Sequence, residues 1–187
     1  MHIDVDNLLG STFECECGRV HSVPVKRYIY SKSVINDIPQ ILTDCMQGQP
    51  GRVAVIADAR TWQVAGQAAY GKLSAGDIET RRIIVTDTNG RSPVTDEETC
   101  RWLRAAMAEN RPEVALAVGS GVINDLTKWA SYELGVPYAV LCTAASMNGY
   151  SAANVAARRG PMTQELTIWA REVRSVSAVS RSSKRLK

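Results

Sequence analysis

No run of about 18 apolar residues occurs in the chain, which gives it no candidate membrane span. The opening residues, Met1-His2-Ile3-Asp4-Val5-Asp6, have neither a basic start nor an apolar stretch, so a secretory signal is not expected. Nor do the cysteines form an even, clustered set. The five stand at 15, 17, 45, 100 and 142, an odd and scattered count that suits reduced thiols better than a disulfide frame. These absences together lead to the expectation of a cytoplasmic protein. The first 153 residues also lack internal repeats and low-complexity stretches. What remains is ordinary globular material, 187 residues at 45% apolar and 22% charged, enough for one good core and an appendage.

The formal charge of +3 hides an asymmetry. Residues 1–157 carry 14 Lys and Arg against 17 Asp and Glu, whereas residues 158–187 carry 8 against 2. The body therefore offers no case for nucleic acid as a partner. Beyond Ala153 the apolar periodicity fades, and the end is rich in Ser, Arg and Val. Residues 154–187 are accordingly expected to form a basic, poorly ordered tail that contributes no core, the alternative being a basic arm for an anionic partner.

Ahead of that tail, strands alternate with helices. Lys26–Tyr30 reads as a strand and Val34–Met46 as a helix with Val34, Ile38, Ile41, Leu42 and Cys45 inward. Val53–Ala57 reads as a buried strand ending at Asp58, followed by a helix from about Thr61 to Leu73 and a strand over Arg82–Thr86. Thr95 to Glu98 looks like a capping box opening a helix that runs to Ala108. Val114–Val118 is a strand and Tyr138–Leu141 another, with a helix between them that stops at Gly135-Val136-Pro137. The pattern predicts an α/β fold, a Rossmann-like parallel sheet with helices on both faces.

The sharpest local feature is Gly119-Ser120-Gly121-Val122-Ile123-Asn124-Asp125-Leu126-Thr127-Lys128, a small-residue turn between an apolar strand and a helix. Small side chains let a pyrophosphate approach the backbone, and the first helical N–H groups and the helix dipole favour negative charge there. A strand, glycine loop, helix and strand in series is the build of a phosphate site in a parallel sheet. After Leu141, the small polar run Cys142-Thr143-Ala144-Ala145-Ser146-Met147-Asn148-Gly149-Tyr150 leaves the carboxyl end of a strand, where open α/β sheets place ligands.

Four segments in this order resemble the sn-glycerol-1-phosphate dehydrogenase group, in the superfamily of iron-containing alcohol dehydrogenases, glycerol dehydrogenases and dehydroquinate synthases. They are Cys15-Glu16-Cys17-Gly18-Arg19-Val20-His21, Val55 through Asp58 to Thr61, Val118 through Gly121 and Asn124 to Lys128, and Thr143 through Ser146 and Asn148 to Tyr150. The resemblance covers about residues 14–153. It implies an amino-terminal extension over 1–25 and an NAD(P)-binding α/β domain over 26–153. It places Asp58 at the adenosine ribose, Gly119, Ser120 and Gly121 at the pyrophosphate, Asn124, Asp125, Lys128, Thr143 and Ser146 near the cofactor, and Asn148 toward the substrate. A carboxylate such as Asp58 can accept both ribose hydroxyls, which leans toward NAD over NADP, while the bland reading makes it a helix N-cap. Asp125 and Lys128, three apart on one helix face, could also simply pair. In many relatives the position of Asn148 is an Asp, so the charge there is lost.

The activity implied is reduction of dihydroxyacetone phosphate, a small phosphorylated triose, by hydride from NAD(P)H. The group works in phospholipid biosynthesis with a divalent metal (zinc, iron or nickel) held by one Asp and two His of a carboxyl-terminal helical domain. This sequence has only His2 and His21, so that ligand set cannot be assembled and the metal domain is expected to be missing. No catalytic residue and no metal ligand is assigned. Cys15, Cys17 and His21 supply three zinc-type donors with no second Cys/His pair at suitable spacing, so a tight amino-terminal turn is expected there and not structural zinc. The chain is expected to be a truncated or out-of-frame form, inactive alone. Its cofactor cleft would lack one wall, leaving apolar surface for self-association into a homo-oligomer. The alternatives are a nucleotide-binding protein without catalysis, a fragment of a glycerol dehydrogenase or dehydroquinate synthase, and an interaction protein built on a cofactor fold.

Overall fold

Strands with continuous apolar runs bury both faces, and here they line up in one parallel sheet. The computed structural model describes residues 7–23, 25–87, 92–144, 149–150, 155–159, 164–167 and 175–179, with backbone only from 158 onward. Among these are β1 (Thr12–Glu14) and β2 (Val20–Ser22), an antiparallel hairpin, then β3 (Val25–Tyr30) and α1 (Val34–Met46). β4 (Arg52–Asp58) leads into a helical stretch made of α2 (Ala59–Thr61), a π turn (Trp62–Gly66) and α3 (Gln67–Ser74). β5 (Glu79–Val85), α4 (Glu97–Asn110), β6 (Val114–Gly119), α5 (Gly121–Leu134) and β7 (Tyr138–Cys142) follow. β8 (Ala156–Arg159) pairs antiparallel with β9 (Gln164–Thr167), and β10 (Ser175–Val179) comes last.

The six-stranded sheet has the order β3-β10-β7-β6-β4-β5, and every pairing in it is parallel. Alternation along β4 sorts the core into two layers. Val53, Val55 and Ala57 face α1 and α3, packing with Val34, Ile38, Leu42, Ala69 and Leu73. Ala54 and Ile56 face α4 and α5, packing with Leu103, Met107, Leu126 and Ala130. Helices thus cover both faces, as the alternating pattern predicts.

Three sequence expectations change. Asp96, not Thr95, caps α4: its carboxylate accepts the Thr99 N–H at 2.8 Å. Asp binds an N-terminal N–H at least as well as Thr, and the helix starts one residue later than a Thr cap would require. Second, α5 is buried on more than the one face that Val122, Leu126, Trp129 and Ala130 define. Asn124, Asp125, Thr127, Lys128 and Ser131 are buried as well. The third difference concerns the same core layer. The stretch 154–187, read as a tail without core, contributes Val155 and Ala157 to the layer around α5, and Ala156 N–H donates to Asp125. It also supplies β10, which sits between β3 and β7. Ser-Val-Ser-Ala-Val is too short for a recognisable period, yet small and β-branched residues fit an interior strand.

Candidate dinucleotide site

Around β4 the chain order reverses: β5 lies on one side of it and β6 on the other. Such a switch point leaves a crevice at the carboxyl ends of the two diverging strands. Asp58 ends β4 and Gly119 ends β6, and the crevice between them is a cleft of 330 Å³ lined by Asp58, Arg60, Ser92, Pro93, Ser120, Gly121, Val122 and Ile123. Asp58 and the glycine loop, 61 positions apart in sequence, therefore share one wall-to-wall space.

The loop is built for close approach. A Cβ on Gly119 would come within 2.7 Å of the Ile123 Cβ, so only glycine lets strand and helix meet there. Ser120 stands at the N-cap of α5 with no side-chain capping bond, leaving the helix end to an outside acceptor. The Gly119 carbonyl is held by the Thr143 N–H at 3.1 Å and the Tyr150 hydroxyl at 3.5 Å. Tyr150 also donates to the Ala144 carbonyl at 2.8 Å, which ties the exit of β7 to the exit of β6. Burial pushes the Cys142 thiol up to about 12 and raises the Tyr150 hydroxyl, so both stay neutral beside the loop.

Asp58 does two things at once. Its Oδ1 accepts the N–H groups of Arg60 and Thr61, both at 2.8 Å, and the Thr61 hydroxyl accepts the Asp58 N–H, a complete capping box. Its Oδ2 is 3.6 Å from an Arg60 guanidinium nitrogen. That guanidinium grips Asp87 through a fork of 3.1 and 2.9 Å, which holds the Asp87 carboxyl below its ordinary range. Arg60 and Asp87 were not singled out from sequence. Their separation of 27 residues carries no local signal, although the strand-end acid followed by Arg was visible.

The remaining predicted residues separate into groups. Asn124, Asp125 and Lys128 lie buried behind the loop and do not line the cleft. Asn124 Nδ2 donates to Asp125 Oδ1 at 3.0 Å, and Lys128 Nζ sits 3.8 Å from the same oxygen while donating to the Gly149 carbonyl at 2.8 Å. Asn124 Oδ1 is buried without a hydrogen-bond partner among the described residues. Desolvation raises Asp125 and lowers Lys128, each opposed in part by the other's charge. Thr143 is placed beside Gly119 by its backbone. Ser146 and Asn148 lie outside the described residues.

The model of a family described as iron-containing alcohol dehydrogenase matches residues 29–172. The chain belongs to that family. Among curated proteins, it is similar to the glycerol-1-phosphate dehydrogenase [NAD(P)+] of Halalkalibacterium halodurans, 33% identical over 139 residues, covering 74% of this chain and 34% of that protein. The enzyme of the same name from Pyrococcus furiosus is 28% identical over 132 residues, covering 69% and 34%. The match spans about a third of the length of these relatives. Among solved structures, a 1,3-propanediol oxidoreductase shares the fold at a TM-score of 0.70 and 14% identity, covering 84% of this chain and 44% of that one. A sulfoacetaldehyde reductase from Bifidobacterium kashiwanohense, solved in complex with NAD+, does so at 0.66 and 18%, covering 86% and 45%.

Proposed function

We propose that this chain binds a nicotinamide dinucleotide and supplies the cofactor half of an NAD(P)-dependent glycerol-1-phosphate dehydrogenase, a reducer of dihydroxyacetone phosphate. The observation that carries the reading is the shared cleft of Asp58 and the Gly119-Ser120-Gly121 loop at the switch point. The residues fit the cofactor: a carboxylate with Oδ2 outside the capping box faces the same space as an uncapped helix N-terminus that tolerates no Cβ at Gly119. Asp58 would hold the adenosine ribose and Ser120 and Gly121 the pyrophosphate. Thr143, Ser146 and Asn148 would follow toward the nicotinamide and substrate end. When bound, the nicotinamide supplies the hydride.

The residues of this chain do not fit the family's metal. Its only histidines are His2 and His21, and among the described residues the sole cluster of metal-type donors is Cys15, Cys17 and His21, on the hairpin and away from the cleft. The same observation favours a second reading, dinucleotide binding without turnover by this chain on its own. No helix among the described residues is long and apolar enough to cross a membrane.

Titrating NADH and NADPH into the full chain, followed by nicotinamide fluorescence, tests the first reading. Saturable binding that Gly121→Asp weakens by at least about tenfold, through a carboxylate placed at the pyrophosphate, supports it. Absence of binding, or equal binding by the variant, overturns it. Assaying dihydroxyacetone phosphate reduction with added zinc, iron or nickel separates the enzyme from the binder.

A further inference from the structure

The β1–β2 hairpin has no apolar reason to hold its shape. All six of its strand residues are exposed, with Phe13 39% and Val20 67% accessible. A lone hairpin of three-residue strands is marginal in water unless something else fastens it. At its tip, the sulfurs of Cys15 and Cys17 and a ring nitrogen of His21 all lie within 4.8 Å of one another, and Cys17 Sγ is 3.1 Å from His21 Nε2. Donors sharing one tetrahedral zinc stand about 3.5–3.8 Å apart, given bonds of ~2.3 Å to sulfur and ~2.0–2.1 Å to nitrogen. The three atoms therefore need only small movements to share an ion.

The backbone supports that convergence. Gly18 adopts φ +78°, a left-handed conformation that suits glycine, and its N–H donates to the Cys15 carbonyl at 2.9 Å. The Cys15 N–H donates to the Arg19 carbonyl at 2.9 Å, closing the loop so that Cys17 folds back over Cys15. Phe13 stacks on the His21 ring at 5.9 Å and 27°, which fixes the orientation of the imidazole.

We propose that Cys15, Cys17 and His21 form a binding site for zinc or a similar borderline-soft divalent cation, with the fourth position left to water or another donor. The two thiolates and the imidazole are the ligand types that such ions prefer over hard oxygen donors. The ion fastens the hairpin in place of an apolar core. The site is separate from the dinucleotide cleft and does not depend on it.

The test uses the full chain, purified reduced and metal-free, then given zinc alone or cobalt alone. One zinc per chain is expected by elemental analysis after dialysis. Cobalt should give the thiolate-to-metal charge-transfer band of a cysteine site, lost in Cys15→Ser/Cys17→Ser and shifted in His21→Ala. Zinc should also shield Cys15 and Cys17 from alkylation while leaving Cys45 unchanged. Circular dichroism of the variants checks that the parallel sheet survives, which the exposure of the hairpin leads one to expect. Sub-stoichiometric zinc in the parent chain would overturn the proposal. So would equal metal binding by the Cys15→Ser/Cys17→Ser/His21→Ala variant, or a Cys15–Cys17 disulfide that persists under reduction.

Discussion

Lys128 Nζ and Asp125 Oδ1 face each other at 3.8 Å on α5, the lysine side chain fully buried and the aspartate 12% exposed. A pair this deep gains Coulomb attraction but loses the hydration of both ions, and the two roughly cancel. What makes the pair matter is its placement. Lys128 reaches the Gly149 carbonyl and Asp125 takes the Ala156 N–H, so the pair ties α5 to the chain on either side of residues 151–154.

Removing Lys128 leaves Asp125 with hydrogen-bond donors but without its nearest opposite charge in a desolvated place. Lys128→Met is expected to destabilise the chain by about 3–5 kcal/mol, whereas Asp125→Asn/Lys128→Met together should recover most of that loss. Urea unfolding of both variants and of Asp125→Asn completes a double-mutant cycle. Losses that simply add would show that the two side chains do not act as a pair. If the double variant is stable yet no longer binds dinucleotide, the pair also serves the cofactor, as the resemblance implies.

Gly119 sets how close α5 comes to β6. Gly119→Ala places a methyl within 2.7 Å of the Ile123 Cβ, which forces the helix start outward. A stability loss of about 1–3 kcal/mol is expected, the usual range for overpacking. Tm should fall by roughly 2–4 °C per kcal/mol in a chain of this size. Dinucleotide affinity should fall with it. A variant as stable as the parent would mean that the approach is looser than the geometry indicates.

Much of this fold was legible because its signals are local. Apolar runs at 53–57, 114–118 and 138–141 lie inside observed strands, the predicted Val34–Met46 helix has the observed bounds, and α5 ends on Gly135 in a left-handed conformation. The glycine turn between β6 and α5 was legible for the same reason, since strand, glycine and helix signals lie side by side. The strands beyond residue 155 were not. β10 depends on partners about 150 residues upstream in β3 and about 37 upstream in β7, and a five-residue Ser/Val/Ala strand shows no period of its own. Burial of Asn124, Asp125 and Lys128 was likewise hidden, because the core layer that holds α5 also takes in Val155 and Ala157 from the stretch without apolar periodicity. The Arg60–Asp87 fork joins two strand ends that only the sheet brings together.

On the proposed reading of the cleft, that fork bears on cofactor choice. Arg60 stands beside Asp58 in the cleft but spends its guanidinium on Asp87. Asp87→Ala should release Arg60 toward a ribose 2′-phosphate and raise the NADP affinity relative to NAD. Because Arg60 is half exposed and solvent screens the pair, stability should change little. Arg60→Ala/Asp87→Ala should abolish the gain. Titrations with both cofactors decide the matter, and an unchanged NADP-to-NAD ratio in Asp87→Ala would count against any role for Arg60 in that choice.

The five thiols should separate by reactivity. Cys100 and Cys142 are buried, and loss of hydration pushes both up to about 12, so at neutral pH almost none of either is thiolate. Cys45 is half-buried and also raised, whereas Cys17 is exposed and Cys15 receives backbone N–H donors. Brief alkylation of the reduced, metal-free chain at neutral pH should label Cys15 and Cys17 first, Cys45 slowly, and Cys100 and Cys142 only after unfolding. Raising the pH within the native range should speed Cys45 more than Cys15, because burial raises the Cys45 thiol whereas hydrogen bonding from Cys17 lowers that of Cys15. Peptide mass mapping reads all five sites at once. Early labelling of Cys142 would mean that the end of β7, and with it the brace from Thr143 to the Gly119 carbonyl, opens readily in the native chain.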